Sequence, residues 1–170
     1  MKIEQAEIIL KKLIGKSIPL ENTNKYNKGK FGHSLEKFLQ LKLGSHHLDF
    51  ENGELKSCAS KNNKLKEDFK ICKKWDKTYI KEKINNMLIV IYDYDTQIIL
   101  SVKIFNILAH PIVSKQFDLE IDWLLKQIDI RKVSQKDTDV FVAKTNDTGN
   151  KDINDRALYI ARAPARIFRL

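Results

Sequence analysis

Met87-Leu88-Ile89-Val90-Ile91-Tyr92 is an unbroken apolar run, and after Asp93-Tyr94-Asp95 a second apolar segment extends from Gln97 to Phe105. These two segments constrain the fold most. Short apolar runs bounded by polar residues read as strands, and a strand without polar alternation belongs at the centre of a sheet with both faces covered. The rest of the chain must supply the cover. Residues 3–14 place Ile3, Ala6, Ile9, Leu10, Leu13 and Ile14 at helical spacing, with Gly15 positioned as a C-terminal stop. A second helix is predicted with Leu35, Phe38, Leu39 and Leu43 inward and Gly44 at its end, after a loop from Glu21 to Phe31. A lysine-rich helical segment is predicted over about 62–84, and a further helix presents Phe117, Ile121, Leu124, Leu125 and Ile128 on one face. Val140 to Lys144 and Ala157 to Ile160 read as short strands. The expected class is mixed α/β or α+β, with a central mixed sheet flanked by helices.

The 170 residues suit a single domain over 1–170, with approximate lobes 1–105 and 106–170. Lysine and arginine number 31 against 22 aspartate and glutamate, giving a net charge of +9 and making a polyanion the first partner to consider. Nucleic acid and anionic membrane both answer to that charge. No apolar run approaches the roughly 18 residues of a membrane-spanning helix, and Glu4 and Gln5 interrupt any signal-peptide core. A soluble, cytoplasmic protein of prokaryotic type is expected. Cys58 and Cys72 are too far apart for a Cys-x-x-Cys clamp and read as reduced structural thiols. No phosphate-binding Gly-rich loop, His-Glu-x-x-His or Gly-x-Ser-x-Gly occurs, so nucleotide hydrolysis, zinc proteolysis and serine-hydrolase chemistry have no support.

Chemistry concentrates in Leu48-Asp49-Phe50-Glu51-Asn52-Gly53-Glu54-Leu55-Lys56-Ser57, where Asn52-Gly53 is the strongest short-range hairpin signal. A two-residue loop there predicts Glu51 opposite Glu54, Phe50 opposite Leu55 and Asp49 opposite Lys56. Asp49, Glu51, Glu54 and Lys56 then share one face while Phe50 and Leu55 turn toward a core. Clustered carboxylates call for a neutralising cation, and hard oxygen ligands suit Mg²⁺, which could hold a phosphodiester oxygen and acidify a bound water. Lys56 would orient that water or stabilise transition-state charge. The same residues also describe an exposed hairpin with a cross-strand Asp49/Lys56 ion pair and no chemistry.

Asp49 followed by Glu54-Leu55-Lys56 resembles the PD-(D/E)xK nuclease motif, with Leu48 in place of the proline. Gly32-His33-Ser34-Leu35-Glu36, Leu43-Gly44, Asp49 and Gly53-Glu54-Leu55-Lys56-Ser57 are similar to the Gly-x-x-Leu-Glu, Leu-Gly, Asp and Glu-Leu-Lys series of the MutH family. That family comprises the strand-nicking endonuclease of methyl-directed mismatch repair and related restriction endonucleases cutting at GATC. Lys83-Ile84-Asn85-Asn86-Met87-Leu88-Ile89-Val90 resembles the family segment in which a lysine precedes an apolar strand, and Asp137 to Thr145 resembles the segment whose basic residue reaches DNA. Arg156-Ala157-Leu158-Tyr159-Ile160 resembles the family's Ala-Phe-Tyr-Leu strand.

The resemblance implies a restriction-endonuclease-like core in which Asp49 and Glu54 bind Mg²⁺, Lys56 assists the attacking water, Glu36 supports the metal site and Lys83 contacts the cleaved phosphate. It gives Lys144 and Tyr159 DNA-contacting roles. Lys144 stands where the family usually has arginine, and so lacks the planar fork that reads guanine. The stretch from Lys144 to Arg156, with Lys151 inside it, has the composition of a loop able to enter a groove. His46-His47 cannot share one ion because neighbouring side chains on an extended chain diverge, and His33 and His110 have no partner in sequence. The lysine run from 61 to 83, interleaved with Trp75 and Tyr79, is either a solvated face or a surface that tracks phosphates. The expected activity is Mg²⁺-dependent, restriction-type cleavage of double-stranded DNA by a monomer or transient dimer. Hemimethylated-strand nicking and a non-catalytic basic DNA-binding module are the alternatives.

Overall fold

The computed structural model describes residues 1–20, 29–41, 48–62, 64–66, 69–127, 138–145 and 156–160. The class is α+β, and the chain forms two compact units. One takes in Met1–Lys66 and Asn86–Phe105, the other Glu67–Asn85 and Asn106–Arg169.

The first unit is built on the two apolar runs. They form β4 (Met87–Asp93) and β5 (Ile99–Phe105), antiparallel about a turn in which Asp93 Oδ1 accepts the N–H groups of Asp95 and Thr96 and the Thr96 hydroxyl. β1 (Glu54–Lys61) lies parallel to β4 in the register Glu54↔Met87 and Lys56↔Ile89, and the short β2 (Lys64–Leu65) folds back on it antiparallel. The strand order β2-β1-β4-β5 makes this a mixed sheet in which only the first apolar run, β4, is interior; β5, expected at the centre, is an edge strand, with Leu100 exposed. Strand alternation turns Leu55, Leu88, Val90, Tyr92 and Val102 toward α1 (Ile3–Lys11) and α2 (Lys30–Phe38), where they meet Ile3, Ala6, Leu10, Phe31 and Leu35. The Phe31 and Tyr92 rings stack with centroids 3.7 Å apart.

Both helices stop earlier than the sequence pattern suggests. α1 ends at Lys11, and the following turns bring the chain to Gly15, whose φ of +82° is the left-handed conformation expected of a glycine stop. α2 ends at Phe38 because Gln40, at φ +55°, takes the left-handed role predicted for Gly44, and the Leu41 N–H closes back on the Glu36 carbonyl. Phe38, expected inward, is 41% exposed as a result. Leu43 and Gly44, and residues 21–28 of the expected loop, lie outside the described residues; Lys30 and Phe31, at the end of that loop, are helical.

The second unit contains β3 (Phe69–Cys72), α3 (Lys77–Asn85), a 3₁₀ turn (Ile107–Ala109), α4 (Pro111–Gln127), β6 (Phe141–Thr145) and β7 (Arg156–Ile160). Its sheet is antiparallel in the order β3-β7-β6. The expected helix over 62–84 is therefore corrected: among the described residues of that segment only Lys77–Asn85 is helical, while β2 and β3 precede it. Lysine's helix propensity is a weak signal, and pairing of Phe69–Cys72 with residues 158–160 overrides it. α4 is clasped to β6 by the buried Glu120, whose carboxylate accepts the N–H groups of Asp139, Val140 and Phe141 at 2.7–3.2 Å. Lys77 on α3 bridges Asp118 and Asp122 on α4 at 2.9 and 2.8 Å.

Candidate active site

The residues before β1 do not form the expected hairpin. Phe50 donates its N–H to the Gly53 carbonyl at 2.9 Å, so the central residues of the turn are Glu51 and Asn52 rather than Asn52 and Gly53. Gly53, just past the turn, is closely packed: a Cβ there would lie 2.6 Å from Ile3 Cδ1 and 2.7 Å from the Asn86 carbonyl oxygen. β1 then takes β4 as its parallel neighbour instead of pairing back along residues 49–51. This one-residue shift corrects the predicted carboxylate set. Glu51 leaves it, standing exposed with its carboxylate 2.8 Å from the terminal amine of Met1, which holds that carboxyl below the usual range.

Asp49, Glu54 and Lys56 remain together. Glu54 is only 3% exposed at the start of β1, and its Oε1 receives the Lys56 ammonium at 2.7 Å. The two-residue offset along a strand places both side chains on one face, while Leu55 between them enters the core with Phe50. Asp49 Oδ2 accepts the Leu55 N–H at 2.9 Å, which fixes its carboxylate beside the start of the strand.

Glu36, on α2, completes the group electrostatically. Burial pushes its carboxyl above the usual glutamate range, and the charges of Asp49 and Glu54 push it the same way, against the opposing pull of His33 and Lys56. All four expected residues of the first unit therefore share one field. His33, given no partner by the sequence reading, lies with Nδ1 3.9 Å from Glu36 Oε2. Its position three residues before Glu36 on a helix was the available signal.

Lys83, the fifth expected residue, belongs to α3 in the second unit. It is buried, with its amine 5.5 Å from the centre of the Tyr79 ring, over which Lys74 also sits at 4.9 Å. Of the residues expected to contact DNA, Tyr159 is half-buried on β7, in register with Lys70 on β3 and Val142 on β6. Lys144 and Arg156 occupy backbone positions on β6 and β7, opposite Ala157 and Thr145 respectively. Lys151 and the His46-His47 pair lie outside the described residues.

Among the described residues no three His, Cys, Asp or Glu side chains are gathered into a ready-made metal cage. Mg²⁺ does not require one, because it keeps several waters and is held by one or two carboxylates together with substrate phosphate. Asp49 and Glu54 could offer carboxylate oxygens of that kind, and the Glu36 carboxyl beside them is raised first by burial and then by the charge of Asp49. No protein-family model matches the chain, and no curated protein matches it significantly.

Proposed function

We propose that this protein is a Mg²⁺-dependent endodeoxyribonuclease with a PD-(D/E)xK site, cutting double-stranded DNA at a short specific sequence in the manner of restriction enzymes of the MutH type. The observation that carries the reading is the Asp49, Glu54 and Lys56 constellation at the start of a strand within a mixed sheet, with Glu54 and Lys56 in contact at 2.7 Å and Glu36 in the same field. In this reading Asp49 and Glu54 would hold the cation, which would supply an acidified water for phosphodiester hydrolysis. Lys56 would hold positive charge beside the attacked phosphate, its ammonium kept at the site by Glu54 and able to turn toward the phosphate as negative charge develops. Glu36, raised above the usual glutamate range first by burial and then by the charge of Asp49, would support the metal site from α2. Lys83 and Tyr159 are assigned to phosphate and base contact. The net charge of +9 supports a polyanionic substrate.

The test is incubation of the purified chain with plasmid DNA in Mg²⁺, beside EDTA and a Glu54→Ala control, with the fragment ends sequenced. Discrete Mg²⁺-dependent fragments support the reading. Cleavage that survives Glu54→Ala removes the site assignment, and DNA binding without cleavage in any methylation state supports the non-catalytic module instead. Cutting confined to one strand of hemimethylated duplex identifies a nicking enzyme.

A further inference from the structure

The turn that leads from Asp49 into β1 is held from two sides by residues outside the constellation itself. Asn52 Oδ1 accepts the N–H of Ile3 at 2.9 Å, and its Nδ2 donates to both carboxylate oxygens of Glu4 at 3.1 Å. Ile3 is the first residue of α1, so one of the N–H groups that a helix start leaves open is satisfied by a side chain 49 residues away. On the other side Asn86 Nδ2 donates to the Asn52 carbonyl at 2.8 Å, and the Asn86 carbonyl accepts the Glu54 N–H at 3.0 Å. Gly53 is pressed between Ile3 and Asn86. A continuous series of bonds thus runs from the start of α1 through Asn52 and Asn86 to Glu54, and from Leu55 to Asp49.

Asn52 uses both ends of its amide, as acceptor toward Ile3 and donor toward Glu4. A carboxylate of the same shape could serve only the first. A backbone hydrogen bond and, next to it, the Asn52 amide hold the Glu4 carboxyl below its ordinary range, so the partner is an anion. We infer that Asn52 is a positioning residue: by tying the turn to the first turn of α1 it sets the placement of Asp49 relative to Glu54, and with it the affinity of the site for a divalent cation. The cation part of this inference rests on the nuclease reading; the positioning part does not.

Asn52→Asp keeps the acceptor for Ile3 but sets two carboxylates against each other, whereas Asn52→Asp combined with Glu4→Gln restores a donor–acceptor pair at the parent's net charge. The experiment measures the Mg²⁺ dependence of plasmid cleavage by the full chain, with a thermal midpoint for each variant. The half-saturating Mg²⁺ concentration should rise about tenfold in Asn52→Asp, the rate at saturating Mg²⁺ should change less, and the double variant should return to the parent value. An added carboxylate alone would tighten cation binding, so a weaker dependence reports geometry rather than charge. The same Mg²⁺ dependence in all three proteins, or a shift that the double variant leaves in place, overturns the inference. Should Asn52→Asp fail to fold, Glu4→Ala, which removes one arm of the bracket, is expected to give a smaller shift in the same direction, and its absence is equally decisive. If the parent chain cleaves no DNA, the nuclease reading fails and amide exchange decides the remainder. Faster exchange at Leu55 than at Ile89 in Asn52→Asp, reversed in the double variant, sustains the positioning role, and unchanged exchange at Leu55 ends it.

Discussion

Glu54 and Glu120 are the two buried glutamates among the described residues, and they are answered in different ways. Glu120 receives three successive backbone N–H groups, at Asp139, Val140 and Phe141. Those donors are part of the chain and cannot be exchanged without undoing the start of β6. Glu54 receives the ammonium of Lys56 at the end of a flexible stem, and Asp49 and Glu36 add negative charge around it. A side-chain ammonium can be displaced toward a phosphate or rebalanced by a cation; a backbone amide cannot. Burial of a carboxylate is therefore not itself a sign of chemistry, and under the proposed function it is the exchangeable side-chain partner of Glu54 that sets it apart from the clasp at Glu120.

The largest expected effect tests the Glu54 side of this contrast. Glu54→Ala and Lys56→Ala should each lower the rate of plasmid cleavage by about a thousandfold, measured at saturating Mg²⁺, while DNA binding in Ca²⁺ is retained. Glu120→Ala should act on stability instead, costing about 3 kcal/mol in urea denaturation because three N–H groups lose their acceptor, with Glu120→Gln costing less. A catalytic loss without a stability loss at Glu120 would break the distinction. Gly53→Ala should cost about 2 kcal/mol, because the new methyl meets Asn86 backbone and Ile3 at less than 3 Å.

Glu36→Gln sharpens the contrast through pH. A carboxyl whose titration is raised by folding contributes stability that is present below its unfolded value and lost as pH rises through the folded one. The charged Glu36 is thus a burden at neutral pH, and Glu36→Gln should raise the thermal midpoint at pH 7 by a margin that closes as the pH falls below the usual glutamate value of about 4.3. Added Mg²⁺ should narrow the same margin. The smallest effect is expected for Lys77→Met, which removes an exposed bridge to Asp118 and Asp122 and should lower the midpoint slightly, and less so in high salt.

Local pattern carried the parts of this fold whose causes are local. The strands at 87–92, 97–105, 140–144 and 157–160 and the left-handed backbone at Gly15 all correspond to observed features, because alternation, chain reversal and left-handed backbone are written in neighbouring residues, although α1 ends before Gly15 and β5 lies at the sheet edge. The failures share a different cause. Phe69–Cys72 is a strand because of partners nearly ninety residues later in sequence, and the turn before β1, one residue from its expected position, is bonded to Ile3 and Asn86, both far from it in sequence. The same division runs through the site. Glu54 and Lys56 share a face by strand alternation, which the sequence spacing conveys. That Glu51 leaves and Asn52 becomes a bracket depends on the N-terminal helix and on Asn86, contacts that no spacing rule contains. Glu36 entered the expected site by resemblance alone, since its spacing reads as an ordinary solvated helix position.

The parallel pairing of β1 with β4 has a consequence for how the chain reaches this structure. These neighbouring strands are separated in sequence by Glu67–Asn85, which belongs to the other compact unit, so the polypeptide leaves the first unit and returns before that unit's sheet can be completed. Ending synthesis or proteolysis at Phe105 would preserve the strands of the mixed sheet but strand Phe69–Cys72 without β7, exposing an unpaired edge that favours self-association. Neither unit can be released by a single cut. The interleaved order also raises the sequence separation of the pairings that must form, which slows folding relative to a chain whose units are laid end to end.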